Sequence, residues 1–278
     1  MKTLAVLDAD IPLYQTCTAV EHPVDWGGDI WTLHADLKEA RELLDNTIEE
    51  IRATVSADKI VLCLTGPINW RHRLLPEYKA NRTGTRKPVV YAPLKEYVLR
   101  TYDCMLEPEL EADDCVALVA TGPRSRWRGC GEVVMISEDK DFKSVPGTLY
   151  NPRTGDVVKT TVEQADQFHL YQTLVGDAVD NYKGCPGVGP VSAQKLLDAS
   201  PTWESVVGAY EKAGLTEQDA LVQARVARIL RHREYNIRKK EVRLWVPTSG
   251  SGSKTQATGR SSTRAAAGTR EKAKVATI

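Results

Sequence analysis

The 278-residue sequence predicts an α/β domain on a mainly parallel sheet, followed by an all-helical region. Three features carry this reading. Apolar runs at residues 3–7, 59–64 and 133–136 have strand length and stop at polar or acidic residues. Segments with helical spacing lie between them. Beyond about residue 165 no further strand pattern occurs. In such a sheet, ligands gather beyond the carboxyl ends of the strands.

The first run, TLAVL, reads as a buried strand ending at Asp8. Leu37, Ala40, Leu44, Ile48, Ile51 and Val55 recur at helical spacing and predict an amphipathic helix. The run KIVLCL makes a second strand, closed by Thr65, Gly66 and Pro67. A basic stretch follows, with Arg71, Arg73, Lys79, Arg82, Arg86, Lys87, Lys95 and Arg100 against only Glu77 and Glu96. Pro88 and Pro93 interrupt it, and a short helix is expected after Pro93, through Tyr97 to Arg100. Residues 111–120 read as a helix with an acidic first turn, which suits the macrodipole without any ligand. The third strand, VVMI, runs straight into Glu138, Asp139 and Asp141. Further helices are expected over 166–175, after the turn GCPGVGP, over 201–213 and over 216–240, the last opened by a capping box of Thr216 and Asp219. Residues 249–278 are rich in Ser, Gly, Thr and Ala and read as a disordered tail. The expected organisation is therefore 1–165, including a basic segment at 70–100, then 166–248, then the tail.

Composition is that of a globular protein: 42% apolar, 27% charged and a formal net charge of zero. Zero net charge does not exclude a polyanionic partner, because bases and acids are segregated along the chain. The six cysteines form no C-x-x-C pair, so reduced thiols are expected rather than staples or zinc ligands. The N-terminal apolar run is too short for a signal peptide and no run approaches membrane-spanning length. A cytoplasmic protein with no membrane partner is expected.

Four acidic groups follow strands or open helices: Asp8 and Asp10; Glu111, Asp113 and Asp114; Asp139 and Asp141; Asp177 and Asp180. Any one of them alone reads equally well as a solvated loop. Converging carboxylates repel, and a cluster persists only by binding cations or protons. An all-oxygen donor set suits Mg²⁺, with Mn²⁺ as substitute, and two such ions can drive phosphodiester hydrolysis. In GCPGVGP, Gly187 and Gly189 flank Val188 between two expected helices, which lets backbone N–H groups approach a phosphate. Lys195 can add charge to that contact. A ligand-free interhelical turn is the alternative. In RHRLLPEYKANR, Arg71, Lys79 and Arg82 are candidate phosphate contacts, Arg86 extends the basic stretch, and Tyr78 is a candidate for base stacking. A solvated charged face is the alternative there.

Taken together and in order, LDAD, LPEYKANR, LEADD, SEDKDF and GDAVDNYKGCPGVGP resemble the 5′-nuclease superfamily, the 5′→3′ exonucleases and flap endonucleases of phages and bacteria. The resemblance covers residues 4–200, weakening to about 245. It implies a PIN-like core with helices on both faces of the sheet, a helix-three-turn-helix (helix-hairpin-helix) DNA clamp and a two-metal-ion mechanism. It further implies metal roles for Asp8, Glu111, Asp113, Asp114, Asp139, Asp141, Asp177 and Asp180, while Asp10, a metal candidate from its own position, sits where the family often has a neutral residue. Lys79 falls on the family's lysine facing the scissile phosphate, shared with Arg82 or Arg86, and potassium is implied near Gly184–Gly189. The implied activity is removal of nucleotides from 5′ ends of duplex DNA, with flap cleavage and RNA-primer removal as related activities on flaps and RNA–DNA hybrids. One departure stands out: where many members carry a further aspartate after the second strand, this chain has Leu64 and Thr65.

Two rival readings start from the same residues. A phosphatase of the haloacid-dehalogenase type also places D-x-D after its first strand, as Asp8-Ala9-Asp10 does, but leaves EADD, YKANR and the glycine turn unexplained. A non-catalytic DNA-binding protein explains the glycine turn and the bases, but makes convergent acids a liability beside phosphate.

Overall fold

Alternation along the first strand, β1 (Lys2–Asp8), sets up the layers. Leu4 and Val6 enter one buried cluster while Ala5 and Leu7 enter another. A strand covered on both faces is what a parallel α/β sheet requires. The computed structural model describes residues 2–82, 84, 86–123 and 129–247. The tail expected at 249–278 lies outside the described residues.

The sheet is made by β1, β4 (Lys59–Cys63), β5 (Cys104–Met105), β6 (Cys130–Ile136), β7 (Gly147–Tyr150) and β8 (Val157–Thr160). Among the described residues its order is β5-β4-β1-β6-β7-β8. All neighbours pair parallel except β7 and β8, which pair antiparallel. Helices α1 (Asp10–Ala19), α2 (Leu37–Thr54) and α3 (Tyr91–Thr101) cover the Ala5/Leu7 face, through Leu13, Leu44, Ile48, Leu94 and Val98. Helix α4 (Ala112–Ala120) covers the other face. From β1 the chain moves outward one way through β4 and β5, then returns to the other side of β1 as β6. That reversal opens a crevice at the carboxyl ends of β1 and β6, the position where open α/β sheets bind ligands.

Several elements depart from the sequence expectation. Helix α3 begins at Tyr91, ahead of Pro93, because a proline in the first turn lacks only an N–H that has no helical partner anyway. The same tolerance admits Pro12 into α1, a helix whose polar pattern hid it. A hairpin of β2 (Glu21–Asp25) and β3 (Trp31–Ala35) stands apart from the main sheet and leaves Trp26 and Trp31 exposed.

The region after β8 is not purely helical. Helices α5 (Val162–Val175), α6 (Pro190–Ala199), α7 (Trp203–Lys212) and α8 (Glu217–Ala227) share a core of Leu174, Leu197, Val206 and Tyr210. The capping box forms, with Asp219 N donating to Thr216 Oγ1 and Thr216 N to Asp219 Oδ2. Yet α8 ends at Ala227 instead of running to 240, and a short ribbon of β9 (Tyr235–Asn236) and β10 (Glu241–Val242) follows. The cause is Arg71. Its Nε donates to Val226 O at 3.0 Å and its Nη2 to Arg228 O at 2.7 Å, satisfying carbonyls at the helix end. Arg228 turns to extended backbone and is itself buried against Glu234.

Candidate metal centre

Strand ends and helix starts bring the acids to the crevice. Asp8 is the last residue of β1 and is 4% exposed. Its Oδ2 accepts a hydrogen bond from Ser137 Oγ, 3.0 Å away, just beyond β6. Asp10 opens α1, and its carboxylate accepts from Thr65 N at 3.2 Å, at the end of β4. Thr65 Oγ1 in turn accepts from Ala112 N, the first residue of α4, at 3.0 Å. Asp139 caps a 3₁₀ turn (Lys140–Ser144), accepting from Asp141 N at 2.8 Å. Glu111 caps α4.

The carboxylates titrate according to their partners. Burial, then the charges of Asp10 and Asp139, push Asp8 up to about 7. Burial and Asp139 likewise push Asp141 up to about 7. Asp113 is raised by burial and by Asp8, Asp139 and Glu111, and Asp139 by burial and Asp180. Burial would raise Glu111 too, but Arg71 and Lys79 outweigh it and hold the group down at about 2. Asp177 is also lowered, by Lys140 and the Val179 and Asp180 N–H groups prevailing over burial. Asp8, Asp113, Asp139 and Asp141 are thus acids lacking sufficient positive charge.

Asp141 Oδ1 is buried with no hydrogen-bond partner among the described residues. An orphaned carboxylate oxygen among mutually repelling acids fits a hard divalent cation with oxygen ligands. No group of three His, Cys, Asp or Glu among the described residues is already arranged to hold a metal ion. Cations of the chain engage several of the acids instead: Lys79 Nζ lies 2.5 Å from Glu111 and 3.5 Å from Asp180, Arg82 lies 2.7 Å from Asp180 and Lys140 lies 3.1 Å from Asp177.

Three expected roles do not survive burial. Arg71, expected on DNA, is 2% exposed and bonded to Glu111 and Asp114. Tyr78, expected to stack on a base, is 3% exposed and donates toward Asp180 at 2.9 Å, with Glu111 3.2 Å away. Asp114, expected on metal, is fully enclosed. It accepts from Arg71, from Trp70 Nε1 and from Leu230 N, which ties α4 to the segment after α8. Its low hydration is sustained by the Arg71 charge, so it serves structure.

Lys79 and Arg82 stand at the rim. Lys79 adopts a left-handed backbone, φ 54°, while its N–H donates to Asp180 O at 2.9 Å. Asn81 reaches the Ala178 and Val179 carbonyls, and Asn181 reaches Glu77 O, so the YKANR turn is latched to the 177–181 loop. Arg86 instead pairs with Glu21 at the base of the β2–β3 hairpin.

In the glycine turn, Gly187 has φ 77° while Gly189 is extended and caps α6; neither meets an atom within 4 Å of an added Cβ. Both leave the N-terminus of α6 open, with Lys195 exposed one turn on. Around this turn, the glycines that packing demands are Gly176 and Gly184, whose packing role sequence reading passed over. Both have positive φ, and a Cβ on Gly176 would sit 2.5 Å from the Lys183 carbonyl carbon. This close approach closes the loop that carries Asp177 and Asp180. Ser137 and Lys140 were also missed, since a hydroxyl or a lysine beside acids carries no distinctive spacing.

With this geometry in place, the relatives become informative. Over 89% of this chain and 94% of its own length, an exodeoxyribonuclease of Enterobacteria phage T3 is 36% identical. The chain belongs to the 5′–3′ exonuclease family. Residues 35–170 match the family described as 5′–3′ exonuclease, N-terminal resolvase-like domain. An exonuclease of Escherichia phage T7 is 33% identical over 88% of this chain and 94% of that protein. In fold, the chain is similar to the phage T5 D15 protein co-crystallised with metal ions, with a TM-score of 0.62 at 15% identity over 82% of this chain and 90% of that one. The family's PIN-like sheet, mainly parallel with helices on both faces, is the one observed here. Among the described residues no helix is long and apolar enough to cross a membrane.

Proposed function

We propose that the chain is a divalent-metal-dependent 5′→3′ exodeoxyribonuclease that hydrolyses phosphodiesters from the 5′ ends of duplex DNA. The observation that carries this reading is the crevice itself. Asp8, Asp139 and Asp141 lie under-compensated at or just beyond the carboxyl ends of β1 and β6, beside Asp113 in the first turn of α4, with an unpartnered buried oxygen on Asp141 and with Lys79 and Arg82 at the rim. The phage T3 and T7 relatives, an exodeoxyribonuclease and an exonuclease, support the same reaction. Nothing in these relatives favours the phosphatase or the non-catalytic alternative.

Those four acids are the residues that would hold Mg²⁺ or Mn²⁺, with Asp10, Glu111, Asp177 and Asp180 around them. Bound there, the metal supplies Lewis-acid stabilisation of charge on the reacting phosphate. Asp10 belongs to this set because its carboxylate lies at the end of β4, where Leu64 and Thr65 bring no acid. Lys79 and Arg82 hold the non-bridging oxygens of the scissile phosphate. Glu111, fixed between Arg71 and Lys79, keeps Lys79 charged and aimed at the crevice. The open α6 N-terminus, with Gly187, Gly189 and Lys195, takes the DNA backbone without reading bases. Flap cleavage, action on RNA–DNA hybrids, potassium at the Gly184–Gly189 carbonyls, a cytoplasmic setting and a division of labour between residues 1–165 and 166–248 belong to the same reading.

The test is a duplex labelled separately at its 5′ and 3′ ends. Short products released first from the 5′ label, in Mg²⁺ and not in EDTA, are the expected result. Release first from the 3′ label, or equal release from both, would overturn the polarity.

A further inference from the structure

Ser137 is the first residue after β6 and is 2% exposed. The register pairs Leu7 of β1 with Ile136 of β6, so Asp8 and Ser137 emerge side by side at the carboxyl edge of the sheet. The Ser137 main chain is held by its own N–H, which donates to Tyr150 O at 3.3 Å beside β7. Its hydroxyl makes two bonds of opposite sense. It accepts from Asp139 N at 3.1 Å and donates to Asp8 Oδ2 at 3.0 Å.

A serine hydroxyl has one proton and two lone pairs. With the Asp139 N–H directed at a lone pair, the proton is left to point at Asp8. Asp139 Oδ1 in turn accepts from Asp141 N at 2.8 Å. Asp8, Ser137, Asp139 and Asp141 thereby form one hydrogen-bonded series that crosses from β1 to the 3₁₀ turn after β6. Asp8 and Asp139 belong to distant parts of the chain, and the under-compensated charges on them drive them apart. The hydroxyl is what bridges them directly.

We propose that Ser137 is a positioning residue, whose hydroxyl fixes the Asp8 carboxylate against the Asp139 main chain and so sets the spacing of the acids that take the metal. It touches neither metal nor substrate, and the proposal rests on the metal-centre reading above. Groups that orient metal ligands in this way typically change metal affinity by about 10–100-fold when removed.

The test compares the parent chain with Ser137→Ala and Ser137→Thr. Mn²⁺ affinity is measured without DNA, from the free Mn²⁺ spin-resonance signal, alongside urea unfolding and steady-state cleavage of duplex DNA. Alanine removes both hydrogen bonds, while threonine restores the hydroxyl. The expected result is an alanine variant that stays folded with a urea midpoint lowered by the loss of two buried hydrogen bonds, Mn²⁺ affinity of the folded protein weakened by about 10-fold or more, a lowered kcat and an unchanged KM for DNA. Threonine should recover affinity and kcat together. Parental Mn²⁺ affinity in the alanine variant overturns the proposal, and so does a folded threonine variant as weak as alanine. A parent that binds Mn²⁺ but cleaves no DNA sinks the nuclease reading alone, and the affinity comparison still decides the role of Ser137.

Discussion

Replacing Arg71 by Met removes a buried cation while keeping an unbranched apolar stem in its place. The guanidinium makes five hydrogen bonds, to Val226 O, Glu111, both oxygens of Asp114 and Arg228 O. Glu111 would retain Lys79 and Tyr78. Asp114 is worse placed, being fully enclosed and left with only Trp70 Nε1 and main-chain N–H donors. Stripping one partner from a buried ion pair costs roughly 3–5 kcal/mol. The carbonyls at the end of α8 can recover water as that segment loosens, so they add little. Against a total stability on the order of 5–15 kcal/mol, the loss is roughly a fifth or more. Urea unfolding followed by circular dichroism should show a midpoint lowered by that loss divided by the slope, with the slope itself unchanged. The same experiment discriminates against the role that the sequence suggests. An Arg71 on DNA would leave the midpoint alone and reduce the salt dependence of DNA affinity by about one phosphate contact. A stability loss under about 1 kcal/mol would refute the buried-clamp argument, since it is smaller than a single unsatisfied buried group produces.

Other outcomes follow from the same geometry. Gly184→Ala forces a side chain into left-handed backbone and against the Gly176 main chain, and should destabilise by roughly 2–4 kcal/mol. Gly189→Ala, extended and in open space, should change the urea midpoint little, which makes it the paired control. Lys79→Ala should lower kcat by about 10²–10³-fold with only a small change in stability, as loss of one charge-stabilising contact does. His169, buried against Ala224 O and beside Arg228, is pushed by burial and by Arg228 down to about 3. The unfolded chain takes up a proton below pH 6.5 that the native state refuses, so this group destabilises as pH falls from 6.5 toward 3. His169→Gln should therefore flatten the acid limb of stability by about 1.5 kcal/mol between pH 6.5 and 5, read as the parent-minus-variant difference.

What the sequence made legible was what local pattern carries. Apolar runs ending in polar or acidic residues located β1, β4 and β6, and the strand ends of a parallel sheet placed Asp8 and Asp139 on one rim. Helical spacing found α2, which packs one face against the sheet, and an acidic first turn before an apolar body found α4, which is buried nearly all round. The short hairpins, β2–β3 and β7–β8, were not legible, since their stability comes from pairing and turn geometry rather than from an apolar period. The end of α8 was misread for a related reason. Nothing in residues 227–240 forbids a helix, and the stop comes from Arg71, some 155 positions away in sequence. Arg71, Tyr78 and Asp114 show the same limit at the site. Their residue types suit DNA and metal, but burial turns them inward, and burial at that depth depends on contacts a one-dimensional reading does not contain. Ser137 escaped notice because its importance lies in a neighbour across the sheet.

The central claim is that the carboxylates at the β1/β6 edge hold the metal that makes this chain a nuclease. The most direct measurement is the cleavage rate of 5′-labelled duplex DNA against Mg²⁺ concentration, for the parent and for Asp139→Asn. The account predicts a saturable Mg²⁺ dependence for the parent, abolished by EDTA. For Asp139→Asn it predicts a rate lower by more than about 100-fold, beyond what an outer-shell change produces. Parental cleavage in EDTA, or Asp139→Asn cleaving at the parental rate and Mg²⁺ requirement, would contradict it.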